Sequence, residues 1–247
     1  MEFALAPYYE HIAAIHGLTG FVGKVALISV IGAIFGGNVK PGNWLFPTII
    51  GLQLAISGYN GFTFALSDQC PDGIAYPLLL VSVVCFGVAV ACGVVAASQK
   101  AVWDFLPDAE WRHYLGFVLF AWAVWYPPFS NSVIKSVFFS PVGILPHMAL
   151  LVGTVGAWLS LPKTDRTFLY AMLAGSVVVG LIDVALGITS SFLLLAVATL
   201  ASGEFALNLW KSGPVRPQAP RQDDSEDEPK APQQPKPKRD QKQWKLK

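Results

Sequence analysis

Four side chains in this sequence could do chemistry in places where chemistry is costly. Lys24, His147, Asp183 and Glu204 each stand inside a long apolar run. An ionisable group at the centre of such a run costs about 2.5–3.5 kcal/mol to place in a membrane. An ammonium, an imidazole and a carboxylate that met there could hold a small polar solute or an ion. They could also pass protons, with His147 as the titrating member. Asn60, in another run, would line the same cavity. The expected arrangement is a polar site of Lys24, Asn60, His147 and Asp183, with Lys24 and Asp183 as an ion pair. Glu204 is expected apart from it, held by Lys163, Arg166 or lipid headgroups. The competing reading is structural: the charges snorkel outward or fasten two helices together.

Recognisable catalytic machinery is missing. The sequence contains no phosphate-binding loop, no H-E-x-x-H, no G-x-S-x-G and no dinucleotide fingerprint. The three cysteines, Cys70, Cys85 and Cys92, have no C-x-x-C spacing and suggest neither a disulfide framework nor a zinc site. His16 and His147 lie on different runs and give no ligand spacing for a metal or haem. The last run holds no lysine for a retinal Schiff base. No cofactor, metal or nucleic acid is therefore expected, and an enzyme is not the expected class.

The elements that must position these residues are membrane helices. The chain is 53% hydrophobic and 13% charged, against about 25% charged in soluble domains. A bilayer core needs about 20 apolar residues per helix. Seven runs qualify: 17–37, 44–66, 74–97, 113–128, 142–161, 167–187 and 189–210. The fourth is short and could be re-entrant. The last two are joined by little more than "GITS" and must form a tight antiparallel pair. The expected fold is an all-α membrane protein, a bundle of seven transmembrane helices. Orientation follows from the basic residues of short loops. With the N-terminus outside, Lys40, Lys100, Arg112, Lys163, Arg166 and the tail fall inside, and only Lys135 falls in an outer loop. Trp44, Trp103, Trp111, Trp158 and Trp210 then sit near the inner boundary, as an aromatic belt would. On this topology Lys24, His147 and Asp183 lie about 10, 8 and 6 Å below the outer boundary. Glu204 lies in the inner third.

Small residues at Gly32 and Gly36, Gly51 and Ala55, and Ala171, Gly175 and Gly180 favour close helix packing. They serve a compact bundle or an oligomer face equally well. Pro47, Pro77 and Pro146 are expected to kink their helices. Residues 1–16 read as a short extracytoplasmic segment without the features of a signal peptide, 17–210 as the transmembrane domain, and 211–247 as a disordered cytoplasmic tail. Residues 1–210 hold seven Lys and Arg against ten Asp and Glu, while 211–247 hold ten against six. The tail runs from the acidic "DDSEDE" to the basic "KPKRDQKQWKLK", and its end could contact anionic lipid. The loop "SQKAVWDFLPDAEWRHY" reads either as an interfacial amphipathic segment or as a plain connection. The segment 126–147 reads either as a lid over the outer site or as a plain loop.

Residues 114–210 resemble an uncharacterised family of multi-pass bacterial membrane proteins. The resemblance rests on "YPP" (126–128), "GILPHMALLVGTVG" (143–156) and "GLIDVALGITSSFLLLAVA" (180–198). The connection "YNGFTFALSDQCPDGIAYPLLL" departs from that family's pattern. The family has no assigned activity, so the resemblance implies a bacterial inner-membrane protein and no more. The expected function is movement or sensing of a small solute, ion or proton through the outer polar site. The alternative is an accessory or scaffold subunit of a larger membrane complex that recruits partners through its tail. The expected partners are the bilayer and a homo-oligomer or larger complex.

Overall fold

The computed structural model describes residues 6–35, 39–99, 103, 111–125 and 145–212. Among the described residues the chain is all-helical, with seven helices. They are α1 (Ala6–Phe35), α2 (Val39–Ala65), α3 (Ala75–Ser98), α4 (Trp111–Trp125), α5 (Pro146–Leu159), α6 (Arg166–Ala185) and α7 (Ser191–Ser212). Three helical stretches are long and apolar enough to cross a membrane: Ala75–Ser98, Arg166–Ala185 and Ser191–Lys211. Two shorter apolar stretches, Phe21–Ala33 and Pro146–Leu159, accompany them. The chain divides into two units, Met1–Ser212 and Gly213–Lys247. The second, with the tail's acidic and basic blocks, lies outside the described residues. So do the connection expected as a lid, up to residue 144, and most of the loop at 98–114.

The centre of the bundle is α5. Every residue from Pro146 to Leu159 is buried, as expected of a helix apolar on all sides. Pro146 takes the first helical position, where its missing N–H is no loss, so it starts the helix rather than kinking it. Pro77 likewise falls in the first turn of α3, while Pro47 lies within α2. At its start, α6 is capped by Asp165, whose carboxylate accepts from Phe168 N at 3.0 Å.

Antiparallel contacts fix the level of each residue along the bundle. Gly51 of α2 packs on Ala89 and Cys92 of α3, and Gly58 packs on Ser82 and Cys85. A Cβ at Gly51 would stand 2.9 Å from Cys92 Cβ, so only glycine permits this approach. Gly153 of α5 faces both Ile50 of α2 and Met172 of α6. Tyr76 and Pro77 of α3 share an apolar hollow with Ile182 and Leu186. The turns at 66–74 and 186–190 therefore lie at one end of the bundle.

Three expectations need correction. Residues 6–16 are not a segment preceding the bundle: α1 begins at Ala6, and Tyr8 and Ile12 are buried in the core. Trp103 and Trp158 are not belt residues, for each is 1% exposed. Trp103 is wedged against Phe46 and Phe168, with ring centroids 4.5 and 5.1 Å away. Its indole fills a gap between α2 and α6, and packing outweighs any interfacial preference of the ring.

Candidate functional site

Asp183 sits in the last turn of α6, and the chain reverses just beyond it. Gly187 has φ 85°, a left-handed conformation that favours glycine. Gly187 N–H donates to Val184 O at 2.9 Å and Ile188 N–H to Asp183 O at 2.8 Å. These two bonds form the Schellman closure of a helix end. The turn that follows is short enough to bring Ser191, the first residue of α7, back over Asp183. Its hydroxyl donates to Asp183 Oδ2 at 3.0 Å.

A third helix supplies the charge partner. His147 is the second residue of α5, and its Nδ1 lies 3.4 Å from the same Asp183 oxygen. The side chains of His147 and Asp183 are 5% and 6% exposed. The first turns of α5 and α7 both abut the carboxylate, so the positive ends of two helix dipoles lie beside it. Burial of an acid at this point thus has several identifiable compensations: an imidazole, a hydroxyl and two helix N-termini. Tyr8 of α1 and Cys85 of α3 lie within electrostatic reach of Asp183.

Polar atoms continue away from this pair towards the opposite end. Seven residues along both α5 and α6, about 10 Å, Thr154 and Ser176 share a hydrogen bond of 2.7 Å. Both residues are completely buried. On α2, Gln53, Ser57 and Asn60 are buried as well. Their spacing places them along one side of the helix. Among the described residues, Gln53 Oε1, Gln53 Nε2 and Ser57 Oγ have no hydrogen-bond partner. Leaving such a group unsatisfied in a protein interior costs roughly 1–3 kcal/mol.

Of the residues expected to meet, His147 and Asp183 stand at ion-pair distance. Asn60 is buried on α2. Lys24 is buried on α1. It follows Gly23, whose Cβ would lie 3.3 Å from Gln53 Nε2. Sequence reasoning missed Ser191, Gln53, Ser57 and the Thr154–Ser176 pair. The signal for Gln53 and Ser57 was present, since polar residues at 53, 57 and 60 repeat at helical spacing inside an apolar run. Ser191 had a weaker one, a hydroxyl just across a tight turn from an acid.

Glu204 belongs to the other end. Its expected partners were Lys163 and Arg166, but Arg112 of α4 holds it, with Nη1 2.5 Å from Oε1. The indole of Trp158 donates to Oε2 at 2.7 Å. Arg112 Nη1 also lies 3.5 Å from Leu161 O. Trp111 stacks edge-on against Trp158 at 5.9 Å. The Arg112 and Glu204 side chains are 15% and 27% exposed. A groove of about 380 Å³ opens beside them, floored by Leu200, Gly203 and Leu207.

Cys70 lies in the turn at 66–74, near the Asp183 end. Partial burial, and secondly the nearby Asp72 carboxylate, push its thiol above the usual range. Among the described residues no three His, Cys, Asp or Glu side chains gather as metal ligands would. No family model, curated protein or solved structure matches the chain.

Proposed function

We propose that this chain is a multi-pass integral membrane protein that passes or senses protons through the His147–Asp183 pair. In this reading all seven helices cross the bilayer, the N-terminus is outside and the basic tail is cytoplasmic. The resemblance of residues 114–210 points to a bacterial inner membrane. The tail's basic end is then placed to touch anionic lipid.

Several features support the membrane reading. Helix α3 exposes Val83, Val90 and Val94, an apolar face that suits lipid far better than water. Each of the seven helices overlaps one of the seven apolar runs, and the short-loop Lys and Arg other than Lys135 would fall on one side.

The observation that carries the proton reading is the pairing of a histidine with an acid inside the bundle. An acid needed only to fasten α6 to α7 would be served by Ser191 and the helix dipoles. Histidine adds a partner whose charge changes between about pH 5 and 8. Protonation and deprotonation alter the attraction between α5 and the α6–α7 hairpin, so one proton can report itself in helix packing. Tight burial favours a proton over a larger solute.

The test is proton flux in reconstituted vesicles carrying a trapped pH dye, with tryptophan fluorescence followed across the same pH range. Asp183→Asn should abolish the protein-dependent flux or the pH-dependent fluorescence change. If both persist in the variant, Asp183 has no part in the mechanism.

A further inference from the structure

Ser57 is unusual among the helical serines of this protein. Ser29, Ser82 and Ser202 each donate to the carbonyl four residues earlier. The Ser57 hydroxyl makes no such bond, although it is 1% exposed. One turn away on the same helix, Gln53 is 5% exposed and both ends of its amide lack a partner among the described residues. Two adjacent side chains thus leave three enclosed polar atoms without a hydrogen-bond partner among the described residues.

Their level in the bundle follows from the helix contacts. Ile50 packs on Gly153 of α5. Helix α2 runs towards the Asp183 end and α5 runs away from it. Seven residues on from Ile50, Ser57 is therefore level with Pro146 and His147. Gln53 lies one turn deeper, beside Gly23 and next to the buried Lys24. The polar atoms of α2 lead from the level of the His147–Asp183 pair into the middle of the bundle.

The chemistry of the guest follows from what is unmet. Gln53 Nε2 needs an acceptor and Gln53 Oε1 needs a donor. A simple anion could not satisfy the oxygen, and a metal cation could not satisfy the nitrogen. Water does both, and buried water typically makes about three hydrogen bonds to otherwise unsatisfied groups. We infer that Gln53 and Ser57 hold internal water, and that this water extends the proton path from His147–Asp183 inward along α2 towards Lys24. The titratable groups around that path come from four helices: Tyr8 and Lys24 of α1, Cys85 of α3, His147 of α5 and Asp183 of α6.

This inference rests on the proton reading, and the experiment separates the two. The full chain in lipid vesicles is compared with the Gln53→Leu, Ser57→Ala double variant and with Gln53→Met alone. Nuclear magnetic resonance transfer from water to the Gln53 side-chain amide should be strong in the wild-type protein. In the double variant, proton flux should fall to that of protein-free vesicles while the His147 resonance still titrates as in the wild type. Flux lost in Asp183→Asn but kept in the double variant would overturn the path and leave the proton reading standing. Flux and a pH-dependent fluorescence change that are both indifferent to both variants would overturn both. A Gln53 amide that exchanges nothing with water would overturn the hydrated site, as would a clear rise in melting temperature for Gln53→Met. That rise is the signature of a polar group buried dry.

Discussion

The two ends of the bundle solve one problem in different ways. Each sets a carboxylate against a basic side chain from another helix and a neutral hydrogen-bond donor. At one end Glu204 receives Arg112 and the Trp158 indole. At the other Asp183 receives His147 and the Ser191 hydroxyl. Arginine is charged at every accessible pH and holds a carboxylate in a fixed fork. Histidine is not so constrained. The arginine pair is also the more exposed, so its charges keep some contact with water or headgroups. The titratable partner stands in the more enclosed of the two pairs, and the permanent one in the more exposed. A purely structural protein would gain from the reverse assignment, because a pair that can lose its charge deep inside is a poor fastening.

The largest expected effect would test this contrast directly. His147→Leu leaves the Asp183 carboxylate buried with only Ser191 and the helix termini. Stability should fall by about 3–5 kcal/mol, the usual loss when one partner of a buried pair is removed. Arg112→Leu, at the more exposed end, should lose about 1 kcal/mol. Reversible unfolding in mixed micelles measures both, and equal losses would erase the distinction between the two ends.

A smaller effect concerns salt. Screening at about 1 M salt acts over about 3 Å and reaches exposed charges far more than buried ones. The difference between wild type and Arg112→Leu should shrink with added salt, while that for His147→Leu should hold. A His147 effect that fades in parallel would place the Asp183 end in contact with solvent.

The smallest effect tells which end faces outward. Cys70 marks the Asp183 end, and its thiol is held above the usual range by burial and by Asp72. A raised thiol pKa leaves less thiolate, so an impermeant maleimide should label Cys70 slowly at neutral pH and faster as pH rises. Asp72→Asn should speed the labelling slightly. Labelling of intact cells supports an outward Asp183 end; labelling only after lysis would invert the topology. Cys85 and Cys92 are completely buried and should stay unlabelled.

Much of the helical layout is legible in the sequence, for a simple reason. A long apolar run bounded by polar turn residues has few other ways to satisfy its backbone. Helix α3 was expected at 74–97 and spans Ala75–Ser98, because Asp72, Gly73 and Gln99 bracket it sharply. The start of α1 was missed because "APYYEHIAAIH" looks too polar for a span. Tyr8 packs on Phe64 with ring centroids 5.2 Å apart, a tertiary contact that hydropathy does not contain.

The polar groups were legible by depth and not by partner. His147 and Asp183 could be placed at similar levels from helix rise alone. That they touch depends on α5 occupying the centre, which no local pattern encodes. Glu204 shows the same limit, for depth alone assigned it to headgroups or to Lys163 and Arg166 at the inner boundary, whereas its ion-pair partner is Arg112, 92 residues away. Neighbourhood along the chain is a poor guide once helices pack antiparallel.

Helix α5 has a consequence for how such a molecule is put together. Its 14 residues span about 21 Å, short of what a lone bilayer-crossing helix needs. Its surface is given entirely to other helices, with none left for lipid. A newly made α5 would meet hydrocarbon with His147 and Thr154 unmatched, and it can settle only when α6, paired with α7, brings Asp183 and Ser176. The ribosome delivers α5 before those two, so the order of synthesis differs from the order of completion. The middle of the bundle is made early and finished last, and a chain cut short after α5 should be a substrate for membrane quality control.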